Sequence, residues 1–379
     1  MRRSRETPVY DFGARWVGIR MMLDKQSWLV LTLLLLTGSV GCVTTHTAYV
    51  TLPSLNGIAA YRVENRNGKL TEIVGSPYAT GNSPGTVLID PSDRFVWVAN
   101  RDDNTISLFK IDRTSGGLSE ILPRTTTGFD PLAMAINASG TFLFVANELS
   151  SNISVYSIDT STGALRQVSS PFPTPPNPIA LVVTPSGKFL YVVNGQLGAV
   201  FGYSVSASGT LELIPDSPFF SGLGALAVAV DPKERYLYVA NSTANTVSIF
   251  GINSITGSLQ QVAGSPFATG AAPVSLTLTI TGVFLYVANA SSNNISGYTI
   301  SPGTGFATTI TQGPFSAGTA PVLVATDPNG TYIYSVSQSA KTISVFTLQT
   351  TGNSALGVLT NTGFTATTAA AGVSMAVSP

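Results

Sequence analysis

One six-residue segment recurs along the chain at a spacing of 47 or 48 residues. It reads FVWVAN at Phe95–Asn100, FLFVAN at Phe142–Asn147, FLYVVN at Phe189–Asn194, YLYVAN at Tyr236–Asn241 and FLYVAN at Phe284–Asn289. A sixth copy, Tyr332–Ser337, is worn to YIYSVS. Alternating aromatic and aliphatic residues read as a strand with both faces buried. A repeat of this length that carries four strand-like runs predicts a β-propeller, one blade per repeat.

Residues 178–214 show the blade pattern. An apolar run at Ile179–Thr184 meets the turn Pro185-Ser186-Gly187, and Phe189–Asn194 follows as a second strand. Ala199–Val205 and Leu211–Ile214 supply a third and a fourth. Short strands separated by Gly, Pro, Ser and Asn make an antiparallel meander. Seven first strands can be counted, beginning near Pro84, Pro131, Pro178, Gly224, Pro273, Pro321 and Gly372. The seventh has no second strand after it. Ala48–Thr51, Ile58–Val63 and Leu70–Val74 supply the missing three. The expected fold is therefore all-β: a seven-bladed propeller of four-stranded antiparallel blades. Its last blade is closed by one C-terminal and three N-terminal strands, which removes free sheet edges at the junction.

The repeated side chains have structural roles. The alternating residues of the second strand face the two blade-packing layers. Asp-Pro at 90–91, 231–232 and 327–328 suits a tight turn in which the Asp bonds the backbone. Glu72, Glu120 and Glu212 fall on fourth strands and read as charges that guard the outer edge.

Composition narrows the chemistry. Only 10% of the 379 residues are charged, against 44% hydrophobic, and the net charge is zero. Residues 1–41 carry six Lys/Arg and three Asp/Glu, leaving 13 basic and 16 acidic residues beyond them. That balance offers no nucleic-acid surface. The chain has one cysteine, Cys42, and one histidine, His46, both ahead of the propeller body. His/Cys metal sites, Ser-His-Asp triads and thiol nucleophiles are excluded from the blades.

The N-terminus reads as an address. Trp28–Val40 is an apolar run with Lys25 before it, short for a membrane span and ending in small residues. Ser39-Val40-Gly41-Cys42 resembles a bacterial lipobox, with Ser39 in place of the usual Leu. The expected organisation is an extension and signal peptide over 1–41, a lipidated tether over 42–47 beginning at Cys42, and the propeller over 48–379. The expected location is a bacterial cell envelope, periplasmic or outer surface, with plain secretion as the alternative. If first strands run from top to bottom, the tether joins the bottom face. Arg66, Lys69, Arg94, Arg113, Lys188, Lys233 and Arg235 also fall in bottom turns, which suits anionic headgroups.

Most loops between second and third strands are bland, such as SSN, GQLG and STAN. Arg101-Asp102-Asp103 is not, and Glu148 follows in the next blade. The connection 123–131 is irregular and brings Arg124 and Asp130. These six are expected in neighbouring loops on the top face. Asp102, Asp103, Asp130 and Glu148 are the candidate catalytic acids and bases, or ligands for a divalent cation. Arg101 and Arg124 are the candidate ligand-binding cations. Solvated rim charges give the same pattern. The inner strands read VLID, LAMAIN, ALVVT, LAVAVD, SLTLT, LVATD and SMAV, so an axial channel of Ala, Thr, Ser and Val is expected.

YVAN strands at this spacing, Asp-Pro turns and a trailing SPFxTG resemble the lactonase-type seven-bladed propellers, 6-phosphogluconolactonase-like and carboxymuconate-lactonizing proteins among them. The resemblance covers residues 47–379, and surface proteins with YVTN repeats share much of it. It implies lactone hydrolysis or formation at a cleft with His, Arg and Glu. No blade here contains a His, so that set does not carry over and no catalytic residue is assigned from it. Three functions stay open: an envelope-anchored propeller that binds a small-molecule or protein ligand on its top face, a lactone hydrolase using the carboxylate–arginine patch, and a structural surface-layer or adhesion component. No other cofactor is called for.

Overall fold

The computed structural model describes residues 46–351 and 356–378. The apolar run at Trp28–Val40 and Cys42 lie outside the described residues. Within them the chain forms seven antiparallel sheets. Blade one shows the strand order: an inner strand Pro84–Ile89, a second strand Phe95–Asn100, a third strand Thr105–Ile111 and an outer strand Leu118–Thr126. The seventh sheet has the expected composite order. Met375–Val377 is its inner strand, followed by His46–Leu52, Gly57–Val63 and Leu70–Glu72. Val377 lies opposite Ala48 and Met375 opposite Val50. Thr51 N–H donates to the Ser374 carbonyl at 3.0 Å and Ser378 N–H to the Thr47 carbonyl at 2.7 Å, extending the seam at both ends. The first strand of this part of the chain starts at His46, two residues before the expected boundary, so the histidine expected ahead of the blades lies in the seventh blade, beside Asn329.

Outer strands differ from expectation in five blades. A two-residue strand such as Tyr78–Ala79 or Phe219–Phe220 pairs with the far end of the third strand, beyond a break in the outer strand. Pro77, Pro171, Pro218, Pro266 and Pro314 sit in these breaks. Proline has no N–H for the ladder, so pairing stops and resumes past it. In blade one Pro123 is absorbed by a register shift between Ile106 and Leu108, and the outer strand stays continuous.

The second strands hold the ring together. All six residues of Phe95–Asn100 are buried, as are their counterparts in blades three to six. The third residue of this strand reaches a turn of the following blade. Tyr49 O–H donates to the Gly116 carbonyl at 2.9 Å, Trp97 Nε1–H to Gly163 at 3.0 Å, Tyr191 to Gly257 at 2.8 Å and Tyr286 to Gly357 at 2.6 Å. Tyr334 closes towards Gly68 at 3.3 Å. Each such contact joins neighbouring sheets and satisfies a buried polar atom. Burial pushes the Tyr49, Tyr191 and Tyr286 hydroxyls well above the ordinary phenol range, so they remain neutral donors.

The terminal Asn of the repeat is explained by its partners. The Asn100 amide donates to Thr105 Oγ1 at 3.0 Å and Ser107 Oγ at 3.1 Å. Its carbonyl accepts Gly81 N–H at 3.1 Å. Asn147, Asn241 and Asn289 donate to the matching third-strand residues. In these four blades the Asn ties the second strand to the third, whereas Asn194 donates to the Pro176 carbonyl and the worn copy Ser337 donates to the Ala317 carbonyl at 2.6 Å.

The inner strands surround a channel whose lower part is a cavity of about 500 Å³. Leu88, Ile89 and Leu323 line it together with Ala, Thr and Ser. The expected Ala/Thr/Ser/Val lining is thus too polar, because Leu88, Leu276 and Leu323 also reach the axis. Of the acidic residues at the strand exits, Asp90 lines the cavity's lower rim. It is buried and accepts the Phe95 N–H at 2.9 Å and the Arg94 N–H.

Candidate functional site

The top of each inner strand is reached through a residue with left-handed backbone. In blades one to six these are Ser83, Asp130, Asn177, Gly224, Ala272 and Ala320. The carbonyl of each accepts the N–H of the residue that follows its own blade's second strand: Arg101, Glu148, Gly195, Ser242, Ala290 and Gln338, at 2.7–3.2 Å. Two positions per blade are thereby fixed around the channel mouth. Blades four to six fill theirs with Gly, Ser, Ala and a single Gln. Arg101, Asp130, Glu148 and Asn177 instead occupy four successive places across blades one to three.

Local sequence explains how each is held. Asp and Asn tolerate the left-handed conformation at φ 54° and 68° better than branched residues do. Asn104 accepts the Asp130 N–H at 2.8 Å and pins the loop. Arg101 depends on a missing side chain. The second residue of the inner strand is Leu132, Ile179, Leu226, Val274, Val322 or Val373 elsewhere, but Gly85 in blade one. A Cβ on Gly85 would lie 3.2 Å from Arg101 Cδ and 3.3 Å from its Cγ. Blade three shows the inverse solution, with Ile179 Cδ1 only 2.5 Å from where a Cβ on Gly195 would stand. Large and small residues have exchanged places, and in blade one the space belongs to the arginine.

The Arg101 side chain spans two blades. Its Nε and Nη2 donate to Asp130 Oδ1 and Oδ2 at 2.7 and 2.9 Å. The same Nη2 lies 3.6 Å from Glu148 Oε2. Asn177 donates its amide to Glu148 Oε1 at 2.6 Å. This bidentate geometry fixes the guanidinium plane, while 37% of the side chain stays open to solvent. Nη1 has no protein acceptor among the described residues. The Asp130 bond holds Arg101 firmly protonated. Burial, with Asp130 adding to it, raises Glu148 above the usual carboxylate range against the opposing pull of Arg101.

The other expected site residues lie elsewhere. Arg124 is on the outer strand of blade one, not in a loop. It binds Glu120 through Nε at 2.7 Å and Nη2 at 3.3 Å, and its Nη1 is 3.7 Å from Asp103. Glu120 is therefore an ion-pair partner, not a bare edge charge. Asp103 accepts the Asn82 backbone N–H at 2.8 Å and its side-chain amide at 2.7 Å, so it clamps the loop before Pro84. Asp102 points into solvent. Of six expected residues, the structure gathers Arg101, Asp130 and Glu148. Among the described residues no three His, Cys, Asp or Glu side chains converge at metal-binding spacing. Asp103 and Asp130 each face an arginine.

Asn177, Gly85 and Asn104 were missed by sequence reasoning. Asn177 lies in PPNP, which reads as turn chemistry, and Gly85 in a Pro-Gly pair. Aligning the repeats by blade position would have exposed both, because Gly85 alone breaks an apolar column.

The sequence matches the family described as "Lactonase, 7-bladed beta-propeller" over residues 43–182 and 182–372. No curated protein matches it. Solved structures do resemble it. A candidate 6-phosphogluconolactonase from Bacteroides uniformis superposes with a TM-score of 0.76 at 18% identity, covering 88% of this chain and 99% of the other. One from Bacteroides fragilis gives 0.76 at 19% identity over 90% and 100%. The periplasmic gluconolactonase PpgL of Pseudomonas aeruginosa gives 0.70 at 20% identity over 88% and 99%. At these identities the likeness speaks for the fold.

Proposed function

This chain belongs to the seven-bladed β-propeller lactonase family, and from that premise we propose that it hydrolyses a lactone at the channel mouth. The observation that carries this reading is the meeting of Arg101 and Glu148 at 3.6 Å, each held by a further polar partner. Glu148 takes a proton from water, whose oxygen adds to the lactone carbonyl carbon. Arg101 Nη1 donates to the carbonyl oxygen as it gains negative charge. The ring C–O bond then breaks, and the proton held by Glu148 passes to the leaving ring oxygen. The product is an open hydroxy acid. Asp130 and Asn177 are positioning residues: the first orients the guanidinium, the second the carboxylate.

A raised carboxyl suits the base role, since proton transfer is favoured by a pKa nearer the working pH. The test is turnover of a set of lactones by the purified protein, compared with Glu148→Gln and Arg101→Met. A second reading, a ligand-binding module without turnover, is favoured by one observation: Asp130 already occupies two nitrogens of Arg101. In that case both variants lose ligand affinity and the wild type releases no acid.

We also propose attachment to a bacterial envelope through a lipid on Cys42. The support is the Trp28–Val40 run and the cysteine that follows it. The strand His46–Leu52 begins on the bottom face, opposite Arg101 and Glu148. A tether ahead of it leaves the top face accessible to solutes.

A further inference from the structure

We infer that the substrate is an uncharged lactone carrying an apolar substituent, not a phosphorylated or carboxylated sugar lactone. The inference rests on the hydrolase reading above and names its substrate class.

Charge is the first argument. At the channel mouth one arginine, Arg101, faces two carboxylates, Asp130 and Glu148. Arg124 is engaged on the outer strand by Glu120 and by Asp103. An anionic group on the substrate would meet two carboxylates against one guanidinium, whose single open nitrogen is given to the lactone carbonyl. A neutral carbonyl needs only the one donor that Arg101 Nη1 provides. The same field favours release of the hydroxy-acid product, which carries a carboxylate once the ring has opened.

The second argument is what flanks the charged pair. Phe129 directly precedes Asp130 and is 65% exposed; Leu149 directly follows Glu148 and is 74% exposed. Phe129 N–H donates to Ser150 Oγ at 2.6 Å, which ties these two loops together. One blade further round, Leu197 and Leu223 are also exposed. Their loops touch closely, since a Cβ on Gly198 would stand 2.4 Å from the Gly222 carbonyl oxygen. Leu226 follows at the top of the inner strand of blade four. Large apolar side chains thus continue the arc of Arg101, Asp130, Glu148 and Asn177 on the same face. Water-exposed Phe and Leu next to a polar reaction centre gain by covering an alkyl or aryl group. A sugar ring, with a hydroxyl on nearly every carbon, offers them little.

The experiment measures kcat/KM of the full-length protein on δ-valerolactone, δ-decalactone, gluconolactone and 6-phosphogluconolactone. The expected order places δ-decalactone first, with a gain of about twofold for each of the first few methylenes as they are partly buried. Gluconolactone follows, and 6-phosphogluconolactone falls about tenfold or more below it, a deficit that shrinks as salt screens the carboxylates. Phe129→Ser with Leu149→Ser flattens the chain-length dependence, seen as a higher KM on δ-decalactone at nearly constant kcat. Preference for the phosphorylated lactone, or indifference to chain length, overturns the inference and leaves lactone hydrolysis standing. Turnover of none of the four overturns hydrolysis itself, and the substrate class with it.

Discussion

Arg101 holds both carboxylate oxygens of Asp130, through Nε at 2.7 Å and Nη2 at 2.9 Å, across the boundary between two blades. The pair sets the direction of the guanidinium and turns its remaining nitrogen towards solvent. Removing the arginine should therefore act on chemistry more than on folding. Arg101→Met is expected to lower kcat about 100-fold or more, the range for losing an oxyanion donor. The melting temperature should shift little, because partly exposed ion pairs contribute about 0–1 kcal/mol. Thermal unfolding and steady-state kinetics on one preparation check both.

Gly85 gives a sharper test of the same geometry. Gly85→Val restores the apolar residue found at this position in other blades. The new side chain claims the space taken by Arg101 Cγ and Cδ. Turnover should fall as far as in Arg101→Met, while the strand gains a β-branched residue and loses no stability. An active Gly85→Val protein would show that Arg101 works from another position.

Glu148 predicts a pH dependence. Its carboxyl is raised by burial and by Asp130. The acidic limb of kcat/KM should then lie above the ordinary glutamate value of about 4.3. Linkage runs the other way for stability. An acid with a raised folded pKa contributes stability at low pH that is lost as pH climbs through that pKa. Glu148→Gln should therefore raise the melting temperature, relative to wild type, more at pH 7 than at pH 4, while abolishing turnover. Paired melting curves at the two pH values check it.

The inter-blade bonds predict stability effects away from the site. Tyr191→Phe leaves the Gly257 carbonyl unpaired and should lower stability by about 1 kcal/mol. Gly257→Ala should do more, about 1–3 kcal/mol. Gly257 has φ 73°, and a Cβ there would lie 2.5 Å from Phe189 Cδ1. Neither variant should alter kcat at a temperature where it is folded.

Envelope attachment is tested by Cys42→Ser. In a bacterial host, wild type should partition with membranes and incorporate a labelled fatty acid. The variant should do neither. A membrane-bound Cys42→Ser protein would count against a lipid anchor.

The fold was readable because FLYVAN carries several constraints at once. Its aromatic residues bury between blades, its Asn bonds the third strand in four blades, and both recur once per blade. Even the composite seventh blade could be counted, since Met375–Val377 lacks a second strand beside it in sequence. The site was half readable. Arg101, Asp130 and Glu148 stood out as charges where other blades have Gly, Ser, Ala or Gln. Arg124 and Asp103 stood out for the same reason, yet they bind Glu120 and Asn82. Charge alone does not tell a residue at the channel mouth from one on the outer strand. Asn177 and Gly85 were silent because their value lies in what neighbours them across a blade boundary, which chain order does not display.

The most direct test of the account is acid release in a pH-stat assay, with sugar and aliphatic lactones offered to the wild-type protein and to Glu148→Gln. Wild type is expected to turn over at least one neutral lactone steadily and the variant to lose that turnover, with both proteins equally folded by circular dichroism. No turnover of any lactone by the wild type, or equal turnover by Glu148→Gln, would contradict it.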